Sequence, residues 1–342
     1  MKFEHANCGS VTLKIRAVRN MRAYAILMLT SIILQGCVQP MTDDTRIAEP
    51  RQNPAITLPK VEKAGSMQVA ILVNEDTPAY AEVAKILAIK LGQQSTIYNL
   101  ADSQLENAKT VARLKNEDDL QIVSIGLNAS LAAKVLTQKQ VVFCQVFNYQ
   151  DHGLITSRHK GVSMLPSLPK TFSAWRSLSP KTVSIGVISG PGLEDLMLAA
   201  RQAAKTNGFT LQHVVVNSDK EYQYAYKKMS KEVQAFWLIP DNRVLSEHVL
   251  RDLMNFSVRN SKQVAVFNDE LLKLGGLLSI KTNNSDIAQQ VIERLEQSRT
   301  LDNVAGPDIV YPEKINLRIN PVMARNLNLT IPEKYRKHAH AL

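Results

Sequence analysis

From Gln68 onward, short apolar runs alternate with amphipathic stretches. The runs "QVAILVN" (68–74), "STIYNL" (95–100), "LQIVSIG" (120–126) and "QVVFCQVF" (140–147) are rich in β-branched residues and predict four strands. Between the first two, "TPAYAEVAKILAIKLG" (77–92) predicts a helix. Thr77 is its N-cap, Pro78 its first residue, and Gly92 lies past its end. The segment Ser103–Leu114 predicts a second helix, and "NASLAAKVLT" (128–137) a third, capped by Asn128. Strands that are apolar throughout imply a parallel sheet covered on both faces. The order then restarts. "TVSIGVIS" (182–189), "TLQHVVVN" (210–217), "AFWLIPD" (235–241) and "QVAVFND" (263–269) predict strands. "GLEDLMLAARQAAKTNG" (192–208) predicts a helix with Glu194 and Asp195 in its first turn and Gly208 closing it. Segments 219–232 and 246–260 are also helical in pattern. The chain is therefore an α/β protein of two Rossmann-like halves, and the polar, Pro-containing stretch 149–169 suits a crossing between them.

Ahead of this pattern lie two segments of different character. Residues 38–66 hold four prolines and mixed charge and predict a flexible tether. Before them, the apolar core Ala23–Leu34 is twelve residues long, which spans about 18 Å as a helix. A bilayer span needs roughly 20 apolar residues. Arg22 in front and Gly36 behind make the run a secretory signal. Residues 1–20 are polar and basic, so either translation starts at Met21 or the signal has a long n-region. The run ends at Leu34-Gln35-Gly36-Cys37, which resembles the lipobox of bacterial lipoproteins. That resemblance implies lipid on the Cys37 thiol, cleavage before it, and acylation of the new amino group. Val38 follows, where Asp is the inner-membrane retention signal of enteric bacteria, so the resemblance favours the outer membrane of the cell envelope.

Removing residues 1–36 takes five basic residues and one acid from a formal charge of +10, leaving +6 over 306 residues. With no basic run or stacking motif, that charge does not point to nucleic acid. Of three cysteines, Cys8 lies in the excluded segment and Cys37 would be acylated. Cys144 remains, in the apolar run "VVFCQVF", and is expected to be a buried thiol with no disulfide partner in its own chain.

Several stretches resemble one family: "IVSIGLNASLAAK", "GVSMLPSL", "SPKTVSIGVISGPG", "AFWLIPDNRVLSE", "VAVFNDELLKLGGLLSI" and "INLRINPVMARNLNLTIP". In order and spacing they resemble the ABC-transporter solute-binding proteins of the tryptophan/tyrosine-binding kind, from about Gln68 to Pro332. The resemblance implies the type I periplasmic-binding-protein fold, two hinge-connected lobes, a small-molecule ligand and an inner-membrane ABC permease as partner. It places the crossings near 149–163, 280–284 and 312–320. The expected organisation is residues 67–150 with 283–312 as lobe 1, 151–282 with 313–335 as lobe 2, and 336–342 as a tail. Two stretches depart from the family pattern: "FNYQDHG" after the fourth strand and "NNSDIAQQ" after the second crossing.

In open parallel sheets ligands bind beyond the carboxyl ends of the strands. In lobe 1 that rule selects the loop at Asn74, the loop at Asn128, Ala129 and Ser130, and the loop holding Phe147. In lobe 2 it selects the loops at Ser189, at Asp241 and Asn242, and at Asp269. We expect Asn128-Ala129-Ser130 to hold a ligand carboxylate. Asp241, or else Asp269, would accept its amino group, and the resemblance places an acidic residue at Asp241. Phe147 and Tyr149 would pack the ligand's side chain. The competing expectation is structural: Asn128, Asp241 and Asn242 would only cap helices. Trp175 and Trp237 are expected in the core.

No GxSxG elbow, phosphate loop, paired-Cys metal site or HExxH motif occurs, so neither an enzyme nor a cofactor or metal site is expected. Two roles remain. One is a lipid-anchored periplasmic protein that captures an amino acid or similar small ligand for ABC transport. The other is an outer-membrane lipoprotein that uses the same fold as an interaction module for another envelope protein.

Overall fold

The computed structural model describes residues 67–74, 77–100, 104–298 and 306–339. The expected signal run, Cys37, Val38, the 37–66 tether and the end of the tail lie outside them. No helix among the described residues is long and apolar enough to cross a membrane.

The first sheet is built in chain order from β1 (Gln68–Val73), α1 (Pro78–Leu91), β2 (Ser95–Asn99), α2 (Gln104–Lys115), β3 (Leu120–Ile125), α3 (Leu127–Ala133), β4 (Val141–Cys144) and β5 (His159–Val162). The chain then moves to a second sheet through α4 (Leu168–Leu178), β6 (Ser184–Ser189), α5 (Glu194–Thr206), β7 (Thr210–Val215), α6 (Asp219–Met229), β8 (Ala235–Trp237), α7 (Glu247–Arg259), β9 (Gln263–Val266), α8 (Glu270–Lys273) and β10 (Leu278–Thr282). It returns with α9 (Asn284–Ser298) and β11 (Ile309–Val310), and crosses again to β12 (Ile315–Ile319) and α10 (Pro321–Asn326). The sheet orders are β11-β5-β4-β3-β1-β2 and β12-β10-β9-β8-β6-β7. All pairs are parallel except β10 with β12.

Each sheet is covered on both faces, which is why its central strands are mostly apolar and buried on both sides. In the first lobe, Val83, Leu87, Ile287 and Val291 of α1 and α9 cover one face. Val111, Leu114, Ala129 and Ala133 of α2 and α3 cover the other. In the second lobe, Trp175 and Phe172 pack with Trp237 on one face, and Tyr226 stacks on Phe236 on the other. Both tryptophans are core residues. Gln121, buried in β3, donates to the Leu295 carbonyl (2.8 Å) and to Ser298 Oγ (2.7 Å), and so fastens α9 to the first sheet.

Three sequence expectations are corrected. Residues 151–162 were assigned to the second lobe, but β5 pairs with β4 and β11, so the chain leaves the first sheet only after Val162. "HKGV" lacks an apolar run because Gly161 lies beneath neighbours; a Cβ there would sit 2.5 Å from the Phe143 ring. The fourth strand ends at Cys144 rather than Phe147, because Gln145 turns to φ +59°. Asn128 does not cap α3. The cap position is Gly126, with φ +83° and ψ 168°, where a Cβ would overlap the Tyr80 ring. Cys144 is free and fully buried, and burial pushes its thiol pKa up to about 12.

Candidate functional site

The carboxyl ends of the strands in both sheets face one cleft, and a cavity of about 580 Å³ opens there. Lobe 1 supplies Pro78, Ala79 and Glu82 from the start of α1, with Gln145. Lobe 2 supplies Pro240 and Phe267, and the crossing segments supply Met164–Pro166, Lys281–Ser285 and Asn316. A larger groove, about 830 Å³, lies at the amino ends of the second sheet beside Thr182, Gln234 and Gln263. It belongs to one lobe and lies at the end of the sheet opposite to where ligands bind in such folds.

The cavity's polar groups are specific. Asn284 Nδ2 donates to Glu82 Oε2 at 2.7 Å, across from α9 to α1. Asn283 Nδ2 donates to Asn316 Oδ1 at 3.3 Å. The Asn283 side chain also accepts the N–H groups of Ser285 and Asp286, so it caps α9. Buried Asp286 accepts the Lys314 N–H at 2.9 Å, tying the third crossing to the second. Thr282 Oγ1 reaches the Met164 carbonyl at 3.4 Å, joining the first crossing to them.

The expected site residues separate into groups. Asp241 is 1% exposed. Its Oδ1 accepts Arg243 Nε (2.8 Å) and the Arg243 N–H (3.3 Å). Its Oδ2 accepts Arg243 Nη2 and the Gly190 N–H, each at 2.8 Å. A carboxylate offers about four acceptor positions, so Asp241 has none left for a ligand amine. Burial pushes its carboxyl up, but the bonds from Arg243 and Gly190, with the guanidinium charge, outweigh burial and hold it below the usual carboxylate range. Asp269 is similar. Burial raises it, while Lys281 (2.7 Å), Ser279 (2.7 Å) and the nearby Arg318 bring it below that range. Neither acid is a free acceptor.

Ala129 and Ser130 point into the first lobe. Ala129 is in the core, and Ser130 Oγ donates to the Gly126 carbonyl at 2.8 Å beside Ser124 Oγ. The expected carboxylate grip therefore has no side chain from these two; only Asn128 of the three is exposed. Ser189 is also fully buried, bonded to the Gly190 carbonyl (2.7 Å) and His213 Nε2 (2.8 Å). Burial and the Arg201 charge lower the His213 pKa, with Glu194 opposing. Asn74, half-buried, closes the turn after β1 with its carbonyl on the Thr77 N–H. Asn242 is exposed in the turn after Asp241, and α7 is capped by Ser246 instead of either. Phe147 packs against the second-lobe core, and Tyr149 against Phe143 at 5.8 Å between ring centres. Burial, with Tyr311, Asp195 and Asp308 nearby, pushes the Tyr149 hydroxyl up to about 12. Of the two aromatics, Phe147 crosses to the second lobe and Tyr149 packs within the first.

Gln145 belongs to the loop expected to hold Phe147, while Glu82, Asn283, Asn284, Asn316 and Arg243 are additions of the structure. The signal for some was present, because both departures from the family pattern fall at the cleft. "FNYQDHG" carries the Phe147–Asp151 seam, and "NNSDIAQQ" carries Asn283–Asp286. Among the described residues, no group of three or more His, Cys, Asp or Glu side chains is arranged to hold a metal ion. The site offers hydrogen bonds and charge.

A model of the family described as ABC transporter substrate binding protein matches residues 81–342. No curated protein matches the chain. Among solved structures, the ABC domain in complex with L-Trp from Streptococcus pneumonia is 19% identical with a TM-score of 0.55, covering 80% of this chain and 98% of that one. A conserved domain protein from Vibrio cholerae is 18% identical (TM-score 0.54; 80% and 98% covered). A ligand-free, open substrate binding protein with adhesive properties from Clostridium difficile is 14% identical (TM-score 0.60; 81% and 99% covered). At these identities the likeness is one of fold, and the fold is the type I periplasmic-binding-protein fold.

Proposed function

The chain belongs to the ABC transporter substrate-binding protein family, whose members bind small molecules for transport and are not enzymes, and from that premise we propose that it captures a small zwitterion, an amino acid or close relative, for an ABC permease. The observation that carries this reading is the 580 Å³ cavity bounded by both lobes and the crossing segments. A ligand held there touches parts that move relative to one another, so its binding selects one hinge position. Glu82 takes the role first expected of Asp241, accepting the ligand ammonium. The amides of Asn283, Asn284 and Asn316, with the Lys281 ammonium, face the carboxylate. Ile86, Met164, Leu165 and Phe267 supply the apolar wall. The L-Trp held by the Streptococcus pneumonia protein is consistent with this ligand class. We further propose that Cys37 carries lipid and tethers the protein to the envelope, with Val38 favouring the outer membrane.

A thermal-shift screen against amino acids tests the ligand. At 100 times its dissociation constant, a binder adds about 2.7 kcal/mol of stability. No shift with any amino acid would sink the assignment. The anchor is tested separately: Cys37→Ala should move the protein from the membrane to the soluble fraction, and unchanged fractionation would refute it. A second reading, a lipid-anchored interaction module, is favoured by one observation: the acid expected to receive a ligand amine is filled by the chain's own Arg243. Binding of no small molecule, together with outer-membrane fractionation, would support that reading.

A further inference from the structure

Arg243 stands in the turn after β8, in the second lobe, and its guanidinium reaches both lobes. On its own side it grips Asp241 through Nε and Nη2, each at 2.8 Å, and donates from Nη1 to the Pro191 carbonyl at 2.9 Å. The same Nη1 makes an ion pair with Asp151. Asp151 belongs to the first lobe, in the loop between β4 and β5. That loop is held to its own lobe by Lys134, which donates to the His152 carbonyl at 2.7 Å, and by Leu154, packed with Phe143 and Val146.

We propose that Arg243 is a ligand-independent strap between the lobes, and that its bond to Asp151 sets the resting angle of the hinge. Three features support this. Asp241 and the Pro191 carbonyl already fix the guanidinium, so reaching Asp151 freezes little additional side-chain freedom. The opposing backbone is shaped for the approach: Gly192 has φ +80°, and a Cβ there would lie 2.8 Å from Asp151 Oδ1. Phe147, from the same loop as Asp151, packs on the second-lobe core, so the charge pair sits on an apolar seam. The Arg243 side chain is 22% exposed and that of Asp151 32%, so salt reaches the pair and weakens it. A bond of that kind is broken and remade rather than permanent. It also explains the filled Asp241: this acid orients Arg243 toward the other lobe instead of receiving ligand.

Hydrogen exchange of the ligand-free full chain tests the strap. The measured segments are 145–155 in the first lobe and 189–193 in the second. Asp151→Asn removes the charge from the cross-lobe pair and touches nothing else, since among the described residues Asp151 pairs with Arg243 alone. Both segments should exchange about two- to fivefold faster in this variant, the range for a partly exposed pair. High salt should speed the wild type in the same direction and leave the variant nearly unchanged. Asp151→Glu, which keeps the charge, should stay close to wild type. Peptides from β3 and β6 report whether each lobe remains folded. Wild-type exchange in a folded Asp151→Asn protein, or an equal salt response in both proteins, would overturn the proposal. No ligand is used, so the outcome stands apart from the transport reading.

Discussion

Arg243→Met removes the cation from a carboxylate that is only 1% exposed. Asp241 would keep the Gly190 N–H and lose two charge-assisted bonds of 2.8 Å. Breaking a buried pair by removing one partner costs about 3–5 kcal/mol. Two charge-assisted bonds at about 1.5–3 kcal/mol each give about 3–6 kcal/mol, which overlaps that range. The guanidinium is 22% exposed, so water follows the truncated side chain toward the carboxylate. The expected loss at pH 7 therefore lies at the lower end, about 3 kcal/mol. The pH dependence separates this cause from simple loss of packing. In the wild type Asp241 is depressed on folding, so its contribution is complete above the unfolded carboxylate pKa of about 3.9 and is lost as pH falls through the lower folded value. Without Arg243, burial dominates, the folded pKa rises, and protonation relieves the penalty. The gap between variant and wild type should therefore narrow as pH falls from 7 toward about 4. Urea unfolding followed by tryptophan fluorescence suits the test, because Trp175 and Trp237 both lie in the second-lobe core. A loss below about 1 kcal/mol at pH 7, or a gap that does not change with pH, would refute the reasoning.

Gly126→Ala forces a side chain into a conformation nearly confined to glycine and against the Tyr80 ring. It should cost at least about 2 kcal/mol, seen as a melting temperature lower by about 4–8 °C, and an unchanged melt would contradict the packing. Cys144, held near 12 by burial, should ignore a thiol reagent at pH 8 in the native protein and react once urea unfolds it; rapid native labelling would place it nearer the surface. For whichever amino acid gives the largest thermal shift, Glu82→Gln should weaken binding about tenfold or more by calorimetry, and wild-type affinity would remove Glu82 from the site.

Much of the fold can be read from local pattern. Runs such as "LQIVSIG" and "TVSIGVIS" are mostly apolar and buried at nearly every strand residue because both faces of their sheets are covered, and that continuity is visible along the chain. Several elements escaped, among them α4 and everything from α8 onward, and β5 shows why: it is four residues with Lys160 and Gly161 in its middle. It pairs because Gly161 admits Phe143 and Ile309, which are distant in sequence. The site divides the same way. The carboxyl-end rule pointed to the end of the sheets where the cavity opens, but not to which atoms there were already satisfied. Ser130 and Ser189 look like ligand donors in sequence and spend their hydroxyls on neighbouring carbonyls. Asp241 looks like an acceptor until Arg243, two residues later, is seen to fold back on it. Period and spacing report which face a side chain takes, and long-range pairing decides whether its polar atoms remain available.

The return of the chain through α9 and β11 bears on the order in which the protein can be made. Without α9, the face of the first sheet formed by Val69, Ile71, Val123 and Val142 has lost the cover of Ile287, Val291 and Leu295. The second sheet likewise lacks its edge strand until Ile315–Ile319 has emerged. Domains usually complete themselves from the amino terminus as the chain is extended, but here each lobe waits for residues beyond Asn283. A chain interrupted at Thr282 would leave one sheet partly uncovered and the other short of its edge strand, rather than one finished lobe, a species suited to capture by chaperones and proteases.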